Sequence, residues 1–300
     1  MNSYKVLSSN VDFYLFETSN NNIKGTRTKK DIIDGKSLLK YKKTKKIEDI
    51  RFGYFKYSKY ENCSEECSEK LAYEIAKVLK LKVARVELAK DNNGVIGIIS
   101  FLFTSEKIRH TDAKDFLNSS KEDRKITYTI PNIKRFLDTY SENAFNDFIG
   151  IMVFDALIGE TDRHEENWGL LKIDNMYELS PIYDSGCNLL RECKDLNILN
   201  KKIGSEDKFT SYINKSLTYI YNENEKQFTH FELIKYLYEL YPSIVTEHIN
   251  KLYNLTDKKI YNIINKLPYG IIEKIHCEYI YKYIIRRKNI LLEIIKGEKV

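Results

Sequence analysis

The sequence predicts an α+β protein of two lobes, a small mixed N-terminal lobe and a mainly helical C-terminal lobe. Three observations lead to this prediction. Within the first hundred residues, a strand pattern is followed by an amphipathic helix and then by two more strands joined by a turn. A strongly apolar helical pattern covers residues 144–157. From residue 195 onward the pattern is mainly helical.

The composition fits a soluble globular protein and excludes a membrane-spanning one. A chain of 300 residues with 42% hydrophobic and 31% charged residues can bury the core of two lobes. The longest nearly apolar run, residues 95–103, is too short to cross a bilayer, and no signal peptide pattern is visible. We therefore expect a cytoplasmic protein with no membrane partner. The net charge of +6 permits contact with nucleotides or acidic partners without requiring it.

The first strand and helix of the N-terminal lobe carry a candidate ion pair. Residues 51–57 are aromatic and alternating, which predicts a strand that includes Lys56. Residues 64–80 predict a helix whose apolar face has Glu69 at one border and Glu74 at the other. Either glutamate could meet Lys56 inside the lobe, or both could be solvated. Periodicity does not choose between them.

The remaining elements set the proposed division of the chain. Residues 83–88 and 95–103 predict the two further strands of the N-terminal lobe. Residues 104–130 are polar and mixed, as expected for a connection between lobes. The last predicted helix carries the basic residues 286–288, which we expect to face solvent. The predicted division is an N-terminal lobe at 1–104, a connection and start of the large lobe at 105–147, and a C-terminal lobe at 148–300.

A basic segment near the N-terminus has two interpretations. Residues 24–46 hold ten basic and two acidic side chains, a composition typical of a solvated, mobile loop. The functional alternative is a loop that contacts phosphate. Gly25 would let the backbone approach closely, and Thr26, Arg27 and Lys29 would supply hydrogen-bond donors.

The strongest functional pattern lies in the segment 154–186. Asp162 and Asn167 are five positions apart, and Asp184 follows Asn167 by seventeen. Between them, residues 170–179 predict a β-hairpin, which would return the chain so that Asp184 lies near Asn167. This is the layout of a phosphoryl-transfer site, in which an Asp accepts the substrate hydroxyl proton while an Asn and a later Asp hold magnesium on the nucleotide phosphates.

Two other interpretations of this segment remain open from spacing alone. In the first, Asp162 and Asn167 only cap backbone donors of a polar loop. In the second, His164 joins Asp162 and Asp184 to bind a transition metal in a hydrolase, because imidazole and carboxylate ligands suit such ions.

Four stretches of the chain resemble the HipA-type kinases, specifically the shorter HipA-like and CtkA-like proteins. The resemblance runs over roughly residues 20–295 and is most specific in its last stretch. It implies a two-lobed fold related to protein kinases, and the use of ATP and magnesium to phosphorylate serine or threonine in a protein, with autophosphorylation left open. The four stretches are residues 25–29, 54–57, 68–72 and 155–169 continuing through 183–184.

The resemblance also implies roles for individual residues. Lys56 would contact the nucleotide phosphates, with Glu69 rather than Glu74 as its helix partner, and Asp162 would be the catalytic base. Asn167 and Asp184 would hold magnesium. The full set assigned to ATP is Gly25, Thr26, Arg27, Lys29, Lys56, His164, Asn167 and Asp184.

Two positions depart from the family pattern. Family members often have Asn where Glu160 stands and Pro where Thr28 stands. We expect Glu160 to add negative charge near the metal and to slow or retune catalysis.

The sequence therefore predicts an ATP-dependent serine/threonine protein kinase. One alternative is a kinase of a small molecule or a lipid headgroup, because the same catalytic parts serve both. The other is a nucleotide-binding regulator without transfer activity, part of a toxin-antitoxin pair and associated with an antitoxin partner. We expect no direct binding of nucleic acid.

Overall fold

The computed structural model of the chain describes residues 2–16, 28–117 and 123–297. Its strands are β1 (Leu7–Ser8), β2 (Phe13–Phe16), β3 (Lys29–Asp34), β4 (Phe52–Lys56), β5 (Val86–Lys90), β6 (Ile96–Phe101), β7 (Ile108–Asp112), β8 (Gly169–Ile173), β9 (Met176–Leu179), β10 (Leu217–Tyr221) and β11 (Gln227–Thr229). Its helices are α1 (Gly35–Thr44), α2 (Glu65–Val78), α3 (Ala113–Leu117), α4 (Arg124–Thr127), α5 (Ile130–Tyr140), α6 (Ala144–Ile158), α7 (Leu196–Ile203), α8 (Glu206–Asn214), α9 (His230–Leu240), α10 (Pro242–Asn250), α11 (Asp257–Ile264) and α12 (Lys274–Lys296).

The N-terminal part is built on a six-stranded sheet in the order β1-β5-β6-β4-β3-β2. Neighbouring strands are antiparallel except for the parallel pair β1 and β5. Successive side chains of a strand point to opposite faces, so Ile98 lies in the main core while Ile99 joins a separate small cluster with Phe55. Lys56 follows Phe55 and therefore points to the face that α2 covers.

Helix α2 confirms the helix predicted at residues 64–80 and connects the two parts of the molecule. Glu65 and Glu66 lie in its first turn, where negative charge favours a helix start. The apolar residues Leu71 and Ile75 are fully buried, and the helix contacts β5, β6 and α11. One continuous hydrophobic core runs from this face of α2 into the C-terminal helices.

Helix α6 lies at the centre of the C-terminal part, as its apolar pattern predicted. It is hydrophobic on all sides and contacts α5, α9, α10 and α12. Gly159 ends the helix in the left-handed conformation, with φ of +71°. A Cβ at this position would lie 1.9 Å from the Tyr283 hydroxyl, so no other residue fits without rearrangement. The loop that follows α6 therefore leaves in a fixed direction.

The predicted hairpin at residues 170–179 is confirmed as β8 and β9, with Asp174 in its turn. It belongs to a three-stranded sheet whose other edge is β7. Strand β7 falls in the segment 104–130, where a connection was expected and no strand was predicted. The hairpin β10–β11 was also not predicted within the mainly helical region.

The basic segment is not a loop where the structure describes it. Residues from Lys29 onward form β3, which pairs with both β2 and β4, and then α1. Ile32 is fully buried, and the Asp34 carboxylate caps α1 by accepting a hydrogen bond from the Ser37 backbone N–H at 2.8 Å. Composition failed to predict this because the lysines of α1 are exposed while a few apolar residues hold the segment in place.

The basic cluster at residues 286–288 does not simply face solvent. Arg287 is fully buried, and its guanidinium donates to the carbonyl oxygens of Ala156 at 2.6 Å and Ile213 at 3.0 Å. These carbonyls belong to the last turns of α6 and α8, where helices leave acceptors without partners. Arg287 is therefore a structural cap within the core.

No helix in the part of the chain that the structure describes is long and apolar enough to cross a membrane.

Candidate active site

The loop after α6 is held by a buried arginine, Arg163. Its Nε and Nη2 donate to the two carboxylate oxygens of Asp155 at 3.0 and 3.1 Å. Its Nη1 donates both to the Asn167 carbonyl at 3.0 Å and to the Tyr183 carbonyl at 2.7 Å, and Nη2 also donates to the Ser185 hydroxyl at 2.8 Å. One side chain thus joins α6, the loop and the segment that carries Asp184. The predicted return of the chain to Asn167 is confirmed at the level of the backbone.

Sequence reasoning missed the function of Arg163, although a signal was present. Asp155 is a buried carboxylate in the last turn of a mostly apolar helix, and a buried charge needs a partner. Burial raises the pKa of the Asp155 carboxyl, and the adjacent Arg163 opposes that shift. An acidic residue in a core helix, followed within ten residues by an arginine in a loop, would have indicated this pair.

Asp162 presents its carboxylate at the surface while its backbone is fixed on both sides. Its N–H donates to the Glu160 carboxylate at 2.9 Å, and its carbonyl accepts from the Asn167 amide at 2.6 Å. The side chain is 40% exposed, and one of its oxygens lies 3.9 Å from His164 Nε2. The Cys187 thiol donates to the other oxygen at 3.7 Å, and burial raises the pKa of this thiol, which keeps it protonated. The carboxylate is therefore oriented yet accessible.

Lys56 joins two carboxylates from different parts of the chain. Its Nζ lies 3.3 Å from Glu69 Oε1 and 2.9 Å from Asp184 Oδ1. The side chains of Lys56 and Glu69 are 7% and 2% exposed, whereas that of Asp184 is 37% exposed. Glu74, the other candidate, pairs with Lys70 at 2.9 Å on the same helix. The structure therefore resolves the choice that periodicity left open, in favour of Glu69.

The oxygen groups of Asn167 and Asp184 fit a hard divalent cation. Because the Asn167 amide nitrogen donates to the Asp162 carbonyl, the amide oxygen is the atom that would serve as a metal ligand. Asp184 has a left-handed backbone, with φ of +53°, which aspartate adopts more readily than most residues. Magnesium commonly takes one or two carboxylate or amide oxygens together with water and substrate phosphates. The hydrolase interpretation requires three or more His, Cys, Asp or Glu groups around one metal, and the described residues hold no such group.

The candidate phosphate loop is described only at its end. Gly25, Thr26 and Arg27 lie outside the described residues, so their predicted contacts stay predictions. Lys29 lies directly opposite Lys56 in the β3–β4 ladder. The Thr28 carbonyl accepts a hydrogen bond from the Tyr57 N–H at 3.2 Å. The basic segment thus enters the sheet beside Lys56.

His164 lies inside the same loop. Its Nδ1 accepts from the Glu166 backbone N–H at 3.2 Å, and its Nε2 lies 3.4 Å from the Asn167 amide nitrogen. The ring contacts Tyr219 of β10 edge to face, with centroids 5.5 Å apart. His164 therefore contributes to the position of Asn167, and its predicted contact with a nucleotide stays a prediction.

Known proteins with the same architecture were found by sequence and by structure. Residues 23–256 match the family model of the HipA-like C-terminal domain. The serine/threonine-protein kinase CtkA of Helicobacter pylori strain J99 is 25% identical over 248 residues, covering 76% of this chain and 71% of that protein. The crystal structure of the H. pylori proinflammatory kinase CtkA matches with a TM-score of 0.75 and 19% identity over 98% of both chains.

A more distant structure shares the fold. HipA of Shewanella oneidensis MR-1, in a toxin-antitoxin complex with HipB and operator DNA, matches with a TM-score of 0.56 and 13% identity. The match covers 82% of this chain and 59% of that one.

The fold and its relatives thus define a class, the two-lobed serine/threonine protein kinases of the HipA type, and confirm the predicted α+β fold. The chain belongs to the HipA-like C-terminal domain family.

Proposed function

We propose that the chain transfers the γ-phosphoryl group of ATP, bound with magnesium, to serine or threonine hydroxyls of a protein. The observation that carries this proposal is the contact of Lys56 with both Glu69 and Asp184. A lysine held by a helix glutamate and directed at a metal-binding aspartate is the arrangement that positions nucleotide phosphates in kinases.

The residues have distinct functions in this proposal. Lys56 binds the phosphates, and Glu69 holds its ammonium group in place. Asp162 accepts the proton of the attacking hydroxyl, for which its exposed and oriented carboxylate is suited. Asn167 and Asp184 hold the metal, which when bound neutralises the charge on the phosphates.

A groove beside the loop supports a protein as the acceptor. It has a volume of about 800 Å³, and one of its lining residues is Thr161, which precedes Asp162 in the chain. Its walls come from α8, including Ser211, and from β10, including Tyr219. The groove is open at the surface and includes the residue before the proposed base, so an extended peptide segment lying in it could bring its hydroxyl towards Asp162.

The direct test is phosphoryl transfer by the purified protein. The wild type is incubated with labelled ATP and magnesium, alone and with a host lysate, and products are identified by mass spectrometry. Asp162→Asn is run in parallel, because it removes the proton acceptor and keeps the size of the side chain. Asp174→Asn is the matched control, since Asp174 lies exposed in the β8–β9 turn and its left-handed φ of +54° suits Asn.

We expect phosphoserine or phosphothreonine with the wild type and with Asp174→Asn. We expect a loss of about 10²–10⁴-fold with Asp162→Asn at near-normal ATP affinity. Label found only in small molecules or lipids would favour that class of acceptor instead. ATP binding without any transfer would favour the nucleotide-binding regulator. Full activity of Asp162→Asn would remove this residue from the mechanism.

A further inference from the structure

Glu160 is a buried carboxylate directly beneath the proposed catalytic loop. It is 2% exposed and follows Gly159 at the end of α6. One oxygen accepts from the Asp162 N–H at 2.9 Å. The other accepts from the Cys187 N–H at 3.2 Å and from the Asn188 amide nitrogen at 3.0 Å. All three partners are hydrogen-bond donors, so both oxygens act as acceptors.

The partners of Glu160 belong to the two segments that carry the proposed base and metal ligand. Asp162 lies in the loop after α6, whereas Cys187 and Asn188 follow Asp184. Asn188 also connects to α2, because its carbonyl accepts from the Ser68 hydroxyl at 3.1 Å, and Ser68 directly precedes Glu69 in the chain. Hydrogen bonds thus run from the Asp162 backbone through Glu160 to the helix that supports Lys56.

Further contacts fix Glu160 itself. Its carbonyl accepts from His230 Nε2 at 2.8 Å, and burial lowers the pKa of His230 to about 3, so this imidazole is neutral. A second link between the segments runs beside the carboxylate, where the Thr161 N–H donates to the Cys187 carbonyl at 3.2 Å. Loss of the Glu160 carboxylate would therefore loosen the contact between the two segments without separating them.

We propose that Glu160, through its ionised carboxylate, is a positioning residue for phosphoryl transfer. It holds Asp162 in a fixed position relative to the segment that follows Asp184. The inference rests on the proposed function. Protonation would place a hydrogen on an oxygen that faces N–H donors, and one of the two segments would lose its hydrogen bond.

The surroundings make this protonation accessible near neutral pH. Burial raises the pKa of Glu160 to about 7, although the positive charge of Arg163 opposes the shift. The titratable and charged groups around the carboxyl are Asp155, Asp162 and Arg163 on its own side, Cys187 and Arg191 from the following segment, and His230 from α9.

The test compares transfer between pH 6 and pH 8 for the wild type, Glu160→Gln and Glu160→Asp at saturating ATP and magnesium. A group that must be ionised, with a pKa of about 7, makes wild-type kcat about 10-fold lower at pH 6 than at pH 8. Glu160→Gln presents an amide nitrogen to donors in either orientation. We expect its kcat to fall by about 10- to 10²-fold, with little change in the KM for ATP. The acid limb of the pH profile, which is the fall of kcat from pH 8 to pH 6, should be absent. Glu160→Asp keeps the charge and should retain the acid limb with intermediate kcat.

Glu66→Gln is the matched control. Glu66 is also a buried glutamate, 3% exposed, and its carboxylate accepts a hydrogen bond from the Ser58 hydroxyl. This variant should lose thermal stability as Glu160→Gln does, but should keep kcat and the acid limb. Hydrogen exchange at pH 7.5 gives a readout independent of transfer. Peptides covering 160–163 and 185–189 should exchange faster in Glu160→Gln, and those of α9 should not.

Several results would overturn the inference. Wild-type kcat in Glu160→Gln would exclude a positioning function, and so would an exchange pattern unchanged in both segments. A low kcat that keeps the acid limb would show that another group titrates. A wild type that transfers nothing at any pH would refute the proposed function, and the exchange pattern would still decide whether Glu160 holds the two segments together.

Discussion

The pair Lys56–Glu69 predicts an effect on stability that differs between single and double variants. Lys56→Met removes the cation and keeps the length of the side chain, while Glu69, 2% exposed, stays buried without it. Removing one partner of a buried ion pair costs about 3–5 kcal/mol, because the remaining charge stays desolvated and loses that attraction. We expect the free energy of unfolding to fall by about that amount, and phosphoryl transfer to be largely lost.

The double variant Lys56→Met with Glu69→Met should be more stable than Lys56→Met alone. Replacing both charges with apolar groups removes the buried carboxylate as well as the cation, and such replacements are often neutral. The interaction energy between the two sites should be about 0.5–3 kcal/mol. The transfer activity of the double variant should be no lower than that of Lys56→Met, because Lys56 and Glu69 act as a unit.

The exposed pair Lys82–Glu178 is the control. Its atoms are 2.8 Å apart and its side chains are 58% and 40% exposed, so the corresponding cycle should yield about 0.2–1 kcal/mol at most. Urea unfolding followed by circular dichroism measures all variants, and phosphopeptide mass spectrometry measures transfer. Stability losses at Lys56 and Glu69 that simply add would refute the reasoning, because the two side chains would then not interact energetically.

Three further predictions follow from the site and its support. Asp184→Ala should abolish magnesium-dependent ATP binding, measured by calorimetry, while circular dichroism shows an intact fold; retained binding would contradict the metal assignment. Gly159→Ala should lower the free energy of unfolding by more than about 1 kcal/mol, because of its positive φ and the contact with Tyr283, and a thermal melt equal to wild type would count against it. Ser211→Trp should fill the groove and raise the KM for a protein acceptor without changing ATP affinity, and an unchanged KM would locate the acceptor elsewhere.

The parts of the fold that the sequence predicted have strong local patterns. The helix with Leu71 and Ile75 on one face, the apolar α6 and the β8–β9 hairpin each carry their periodicity in a few consecutive residues. Strand β7 was missed because its residues are polar and only half-buried, and it is held by pairing with β8, more than fifty residues away in the chain. A single-sequence pattern does not contain such a partner.

The site was predicted to the extent that spacing determines it. The separation of Asp162, Asn167 and Asp184 and the hairpin between them were sufficient to expect their approach. The partner of Lys56 could not be derived from periodicity, because Glu69 and Glu74 both border the apolar face. Arg163 went unrecognised as a support, since a charged residue in a loop pattern looks solvated until its buried partners are known. Glu160 was expected only as a negative charge near the metal, because its hydrogen-bond partners come from distant parts of the chain.

The continuous core between α2 and the C-terminal helices means that the two lobes are not separate folding units. A fragment ending near residue 104 would keep α2 but would lose the surface of α11 that covers it. The apolar surface of α2 that α11 covers would then face water, and we expect such a fragment to aggregate rather than fold. The boundary between the lobes thus separates parts with different functions, and we expect both parts to unfold together. In calorimetry the intact chain should absorb heat in a single transition.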